Sequence, residues 1–317
     1  MNILIAGNGL DLHHGNKTGY IDFLKYAKKQ GWDSNCFIKD FIVSVEADGV
    51  PLEDYNPDEQ QRKWIDCEDE IKIVIQAFIE AIVRQEFDDS DDVQIKVYKC
   101  FEPILCDGGV GDFHLYYDNS GIFHKDWLIR RLREELDEAI SLLRQYLTKD
   151  SKASFTFEPF TKTKFDYAIS FNYTDKVELY INNLKNVYYL HGSLEKDNMV
   201  FGSFNVGDID FVYFEKYFQR IQKKTDWFDV SGINKINGIT NHFYGCSFGE
   251  SDTDIMRELL REDLLKYEER INNVIYYYGQ TDYEEKVVNL IKILGKENFV
   301  RWYYSGKIQF IDVKSAV

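Results

Sequence analysis

The sequence predicts an α/β protein: a Rossmann-like parallel sheet with helices on both faces and a large, mainly helical insertion after the first strand and helix. Three observations carry this. Asn2 to Ala6 form a short apolar run closed abruptly by Gly7-Asn8-Gly9, as a buried strand is. From about residue 160 onward, short β-rich runs alternate with amphipathic stretches, which implies parallel crossovers. Between these parts, apolar residues recur at helical spacing.

In chain order, a helix is expected from about Thr18, its N-cap, with Tyr20, Phe23, Leu24 and Ala27 on one face. Phe37, Ile38, Phe41, Ile42 and Val45 fit a second helix, although residues 41–45 alone would suit a strand. Ile71, Val74, Ile75, Phe78, Ile79 and Ile82 follow the acidic turn Glu68-Asp69-Glu70, which suits a helix N-terminus. Leu128, Leu132, Leu136, Ala139, Ile140, Leu143 and Leu147 make another long stripe. Strands are then expected at 167–170, 187–190, 242–244 and 274–278, with a short one allowed at 199–201. Helices are expected at 176–184, 211–221, 255–267 and 283–294, the last opened by the capping box Thr281-x-x-Glu284 and ended by Gly295. Residues 1–30 and 151–317 thus read as a discontinuous nucleotide-binding core, and 31–150 as an acidic helical insertion.

Composition bounds the function. With 54 Asp+Glu against 38 Lys+Arg the net charge is −16, which argues against nucleic acid or an anionic membrane surface as partner. Residues 46–107 hold 18 acidic and 6 basic residues, a net of −12, so most of the charge lies in the insertion. That stretch includes Asp88-Asp89-Ser90-Asp91-Asp92, which reads as a solvated loop. The strand-bearing core is close to neutral, and an anionic nucleotide ligand remains compatible with it. Five cysteines (Cys36, Cys67, Cys100, Cys106, Cys246) with no C-x-x-C pair argue against a disulfide framework or a structural zinc site, and for a reducing compartment. No apolar stretch has the length of a signal peptide core or a membrane span, so a cytoplasmic protein is expected.

Candidate site residues lie where strands end. Gly7-Asn8-Gly9-Leu10-Asp11 occupies the place of the phosphate-binding turn in doubly wound folds, though Leu12 replaces the third glycine and no acidic strand end follows, which disfavours a nicotinamide dehydrogenase. The plain alternative is a tight turn. Gly15-Asn16-Lys17-Thr18 is not a P-loop, because Asn16 separates glycine from lysine. After the second core strand, Asn172 can orient a water or an amide, while Asp175 reads equally as a ribose contact and as a helix cap through Asp175-x-x-Glu178. His191 ends the next strand as a general base or a structural histidine. Gly245 and Ser247 suit a phosphate or ribose contact. Glu250, Asp252 and Asp254 read first as the N-terminal turn of a helix and second as oxygen ligands for Mg²⁺.

The motifs Ile5-Ala6-Gly7-Asn8-Gly9-Leu10-Asp11-Leu12, Trp64-x-Asp66-x-Glu68, Ser170-Phe171-Asn172-Tyr173-Thr174-Asp175, His191-Gly192-Ser193 and Gly245-x-Ser247-x-Gly249-x-Ser251-Asp252-x-Asp254 resemble, in this order, those of the AbiH family. That resemblance implies a role in abortive infection, in which an infected bacterial cell stops growing before phage spread. A second, weaker similarity is to sirtuin-like NAD-cleaving defence domains, in which an asparagine and a histidine carry catalysis. Residue by residue it maps to Asn172 and His191. Thr174 interrupts the Asn-Tyr-Asp run of those domains, Gly-Asn-Gly replaces their Gly-Ala-Gly, and their downstream serine is missing.

Together these imply NAD hydrolysis at the nicotinamide–ribose bond, with catalytic Asn172, His191 and Asp175. Gly7, Asn8, Gly9, Asp11, Gly245 and Ser247 would bind NAD as substrate, with no further cofactor and no metal. A non-catalytic nucleotide-binding sensor and a metal-dependent nuclease are the alternatives. A homo-oligomer or a companion defence protein stays open as partner.

Overall fold

The computed structural model describes residues 1–47, 49–55, 66–105, 124–149, 163–181, 184, 186–228, 238–260 and 271–313. They divide into two compact units: Met1–Thr18, Asp150–Val200 and Arg220–Val317 form the first, Gly19–Lys149 and Phe201–Gln219 the second.

The first unit is built on six parallel strands: β1 (Asn2–Ala6), β2 (Tyr167–Ser170), β3 (Val187–Tyr189), β4 (Ile239–Tyr244), β5 (Ile271–Tyr277) and β6 (Ile308–Asp312). Their order is β3-β2-β1-β4-β5-β6, so the winding reverses between β1 and β4, as in doubly wound nucleotide-binding folds. The continuous apolar run of β1 is explained by burial on both faces. Ile3 and Ile5 join Ile169, Phe243, Ile275 and Ile308 in one layer, while Leu4 and Ala6 join Ala168, Tyr244, Val274 and Tyr276 in the other. The first layer is covered by the helices Thr253–Leu260, Gly279–Leu294 and Lys296–Tyr304, through Ile255, Leu259, Leu290, Ile293, Phe299 and Trp302. The second is covered by Leu10, Val177, Tyr180 and Phe165.

Several elements differ from the sequence expectation, each for a local reason. β4 begins three residues early, because buried Asn241 finds partners in Leu259 O (3.0 Å) and Asn273 Oδ1 (3.0 Å) and so sits in the sheet despite its polarity. The helix expected at 176–184 is only Val177–Tyr180, and Ile181 is already extended. No strand forms at 199–201. The helix expected at 211–221 breaks at Glu215 into a 3-10 turn, Ile209–Phe214, and a helix, Lys216–Lys223, because Glu215 is extended and bridges to Ser203. Thr281 is not a cap: the helix starts at Gly279, and Asp282 Oδ2 accepts from the N-cap amide of Tyr278 at 2.8 Å. The helix Lys296–Tyr304 and β6 were not expected.

The second unit packs the helices Tyr20–Gln30, Cys36–Glu46, Cys67–Arg84, Asp92–Leu105 and Lys125–Lys149. Its centre includes Phe37, Phe41, Phe78, Phe101, Phe201 and Phe214 in edge-on and tilted ring contacts. The acidic run at 88–92 opens a helix, with Asp91 Oδ1 accepting from the amides of Val93 (2.8 Å) and Gln94 (3.1 Å). Cys36, Cys67, Cys100 and Cys246 are buried free thiols, and Cys106 lies outside the described residues.

Candidate functional site

In open parallel sheets, ligands gather outside the carboxyl ends of the strands where the winding reverses. Here main chain fills the gap between β1 and β4. Gly7 N donates to Tyr244 O at 2.8 Å and Gly9 N to Gly245 O at 3.0 Å. Gly245 sits at φ +69°, and a Cβ there would lie 2.2 Å from Leu10 N; one on Gly7 would lie 2.4 Å from Gly245 O. The glycines are therefore required by one another, because any side chain would wedge the two loops apart.

The residues that follow Gly7 hold this joint in place. Asn8 Nδ2 donates to Thr18 O at 3.1 Å, and its Oδ1 accepts from Thr18 Oγ1 at 2.6 Å. Thr18 is thereby occupied, and Gly19 takes the N-cap position of the next helix. Asp11 is fully buried. Its Oδ2 accepts from Thr174 Oγ1 at 2.5 Å and its Oδ1 from Tyr180 Oη at 3.0 Å. Asn16 Nδ2 donates to the same Tyr180 oxygen at 2.7 Å, Lys176 Nζ donates to Asn16 Oδ1 at 2.6 Å, and the His14 ring stacks on Tyr180. Burial pushes the Asp11 carboxyl above its ordinary value, opposed by the two hydroxyl donors and the Lys176 charge. Asp11 thus ties the helix Asn8–His13 to the loop after β2.

Asn172 lies two residues past β2, its amide donating to Ser170 Oγ at 3.1 Å. Its side chain is 4% exposed, and neither Oδ1 nor Nδ2 has a hydrogen-bond partner among the described residues. Burying such a polar group unmet costs about 1–3 kcal/mol.

His191, two residues past β3, is 3% exposed and packs edge-on against Phe171 with ring centroids 5.1 Å apart. Its Nε2 lies 2.9 Å from Asp252 Oδ1, an electrostatic contact rather than a well-aligned hydrogen bond. Asp252 closes the 3-10 turn Glu250–Asp252 after β4, so the pair reaches across the ends of the two strands between β3 and β4.

Asp175 is half-buried. Its carboxyl is raised chiefly by burial and then by Glu195, while the Ser193 hydroxyl and the Glu195 amide hold it. It is not a helix cap, since Lys176 occupies that position. With Leu194 N donating to Tyr173 O at 2.9 Å, it binds the loop after β2 to the loop after β3. Ser247 is exposed, its Oγ accepting from Gly249 N at 3.3 Å. Between them, Cys246 is buried and its thiol pushed up to about 12, which leaves it without thiolate character.

Two of the acidic cluster's carboxylates are engaged: Asp252 by the His191 imidazole, Asp254 by the Arg220 guanidinium. Among the described residues, no group of three or more His, Cys, Asp and Glu is placed to hold a metal ion.

The structure therefore brings Asn172, His191 and Asp175 onto adjoining loops, puts Gly7, Gly9 and Gly245 in one joint, and leaves Asn8 and Ser247 at the rim. Sequence reasoning missed the Thr174–Asp11–Tyr180–Asn16–Lys176 network and the pairing of Asp252 with His191. The only signal for the first was that two of its members, Asp11 and Thr174, lie in the segments that follow strands.

The chain matches the bacteriophage abortive infection AbiH family over residues 3–293. It belongs to the AbiH family. No curated protein and no solved structure matches it. Membership gives the chain a role in bacteriophage abortive infection. Of the remaining AbiH-like motif, Asp66 caps the helix Cys67–Arg84 by accepting from Glu68 N at 2.9 Å, and Glu68 pairs with buried Lys216 at 2.7 Å. Trp64 lies outside the described residues. Among the described residues, no helix is long and apolar enough to cross a membrane.

Proposed function

We propose that this AbiH family member binds NAD at the carboxyl edge of its sheet and hydrolyses the nicotinamide–ribose bond during phage infection. The observation that carries the reading is Asn172: a carboxamide buried at a strand end of a nucleotide-binding topology, with neither heteroatom partnered among the described residues. A nicotinamide amide, or the attacking water, supplies the complementary donors and acceptors.

In the reaction, the bond from the ribose C1′ to the pyridinium nitrogen breaks, and its electron pair neutralises the nitrogen as nicotinamide leaves. Water oxygen bonds to C1′ of the oxocarbenium-like ribose and gives up one proton, so NAD⁺ and water yield nicotinamide, ADP-ribose and H⁺. Asn172 orients the water or the leaving amide. His191 accepts the proton, and the Asp252 carboxylate 2.9 Å away offsets the charge the imidazole gains. Asp175 and Asp11 act as braces that set the Asn172 loop. The glycine joint frames the site, with Asn8 and Ser247 at its rim.

The test is nicotinamide release from NAD⁺ by the purified chain, resting and isolated after phage challenge. Wild type should release it, and Asn172→Ala and His191→Ala should not. Absence of release from both wild-type preparations, or full activity in either variant, refutes the reading. Saturable NAD binding without turnover would favour a non-catalytic sensor instead.

A further inference from the structure

Arg220 opens the part of the Lys216–Lys223 helix that belongs to the sheet-bearing unit. Among the described residues it is the only buried arginine, its side chain 6% exposed. Nη2 bonds Asp254 Oδ2, but buried Nη1 has no hydrogen-bond partner among the described residues, and neither has Asp254 Oδ1. A guanidinium presents five donors in a fixed fork suited to phosphate, and burying one unmet is costly. The two unpartnered atoms are of opposite kind: a cationic donor, which suits a phosphate oxygen, beside an anionic acceptor, which suits a hydroxyl.

Their location is fixed by tethers that converge on the candidate site. Asp254 lies two residues from Asp252, which contacts His191. Lys223, one helical turn beyond Arg220, donates to Met199 O at 2.7 Å, and the next residue, Val200, donates to the His191 carbonyl at 2.9 Å. Asp226 then accepts from the amide of Tyr189, the last residue of β3, at 3.1 Å. The helix that carries Arg220 is thus fastened to the loop of His191, and its guanidinium to Asp254, two residues from His191's partner Asp252. The first glycine turn, where doubly wound folds usually place phosphates, has its Gly7 and Gly9 amides already bonded to Tyr244 and Gly245.

We infer that Arg220 is the phosphate anchor of this site, with Asp254 receiving the neighbouring ribose hydroxyl, so that the ligand class is a nucleoside diphosphate moiety rather than a nucleoside. The inference rests on reading this sheet edge as a nucleotide site, but not on hydrolysis. The experiment is calorimetric titration of the full chain with ADP and with adenosine. Wild type should prefer ADP by at least about tenfold, the preference should shrink in Arg220→Lys and vanish in Arg220→Gln.

Because Arg220→Gln leaves Asp254 without its cation, the double variant Arg220→Gln/Asp254→Asn keeps the test usable where the single variant does not fold. It too should lose the preference. An unchanged ADP preference in the double variant, or none in wild type, overturns the inference. Asn172→Ala should retain the ADP preference. A wild type that prefers ADP yet releases no nicotinamide refutes hydrolysis alone. NAD cleavage by the double variant with unchanged KM refutes the anchor alone.

Discussion

The closed joint between β1 and β4 can be tested by adding one methyl group. In Gly245→Ala two terms combine. The residue sits at φ +69°, where an alanine costs roughly 1–2 kcal/mol. Its new Cβ would also lie 2.2 Å from Leu10 N and 2.6 Å from Gly9 C, both backbone atoms that cannot swing away. Forcing extra volume into such packing adds about 1–3 kcal/mol, for a total of roughly 2–5 kcal/mol. Gly15 is the control, with φ +75° and nothing within 4 Å of its would-be Cβ, so Gly15→Ala carries only the first term. Urea unfolding of both variants separates the terms, since a shift in midpoint at constant slope reports stability. Gly245→Ala should fall below Gly15→Ala by about 1–3 kcal/mol. Equal midpoints would mean that the two loops part readily. The glycine turn could then open to a phosphate, in competition with Arg220.

Two further outcomes follow from the same unit. Asn172→Leu replaces an unpartnered buried amide by an apolar side chain of similar size, so thermal denaturation should show stability unchanged or raised by about 1 kcal/mol; a loss of more than about 2 kcal/mol would show that the amide is satisfied in the fold. His242, buried between Phe165 and Tyr276 on β4, is held to about 4 by burial, below the ordinary imidazole value of 6.5. As its folded value is depressed, the unfolded chain binds the proton first. The stability contribution is whole above pH 6.5 and falls away toward pH 4, by roughly 3 kcal/mol in all. Urea midpoints at pH 7.5, 5.5 and 4.5 should drop more steeply for wild type than for His242→Phe, and parallel slopes would refute the assignment.

How much of this was legible in the sequence depended on whether a signal was local. β1 and β2 were readable to the residue, because a strand covered on both faces is an uninterrupted apolar run. β6 was not, since Ile308-Gln-Phe-Ile-Asp312 is a half-exposed strand with little pattern. The start of β4 was hidden by Thr240 and Asn241, two polar residues, the second buried only because it finds partners in other elements. At the site, the positions of Asn172 and His191 could be read because each follows its strand at once. Their surroundings could not: Thr174 meets Asp11 across 163 residues, and nothing in spacing announces that a particular carboxylate will meet a particular imidazole.

The joint and the candidate site form one mechanical unit. From Gly9 the chain runs through Leu10 to Asp11, whose Oδ2 holds Thr174, two residues from Asn172. From Gly245, the other side of the joint, it runs to Asp252, which meets His191. The distance between Asn172 and His191 is thus set through two short arms that begin at the same backbone contact. The loops after β2 and β3 are also fastened directly, by Leu194 on Tyr173 and by Ser193 on Asp175. Such a closed circuit cannot lengthen on one side without straining another, and the proposed hydrolysis requires that kind of fixed placement. In this fold, glycines at the winding reversal gain a use other than cradling phosphate. They fix the frame that carries the loops of Asn172 and His191.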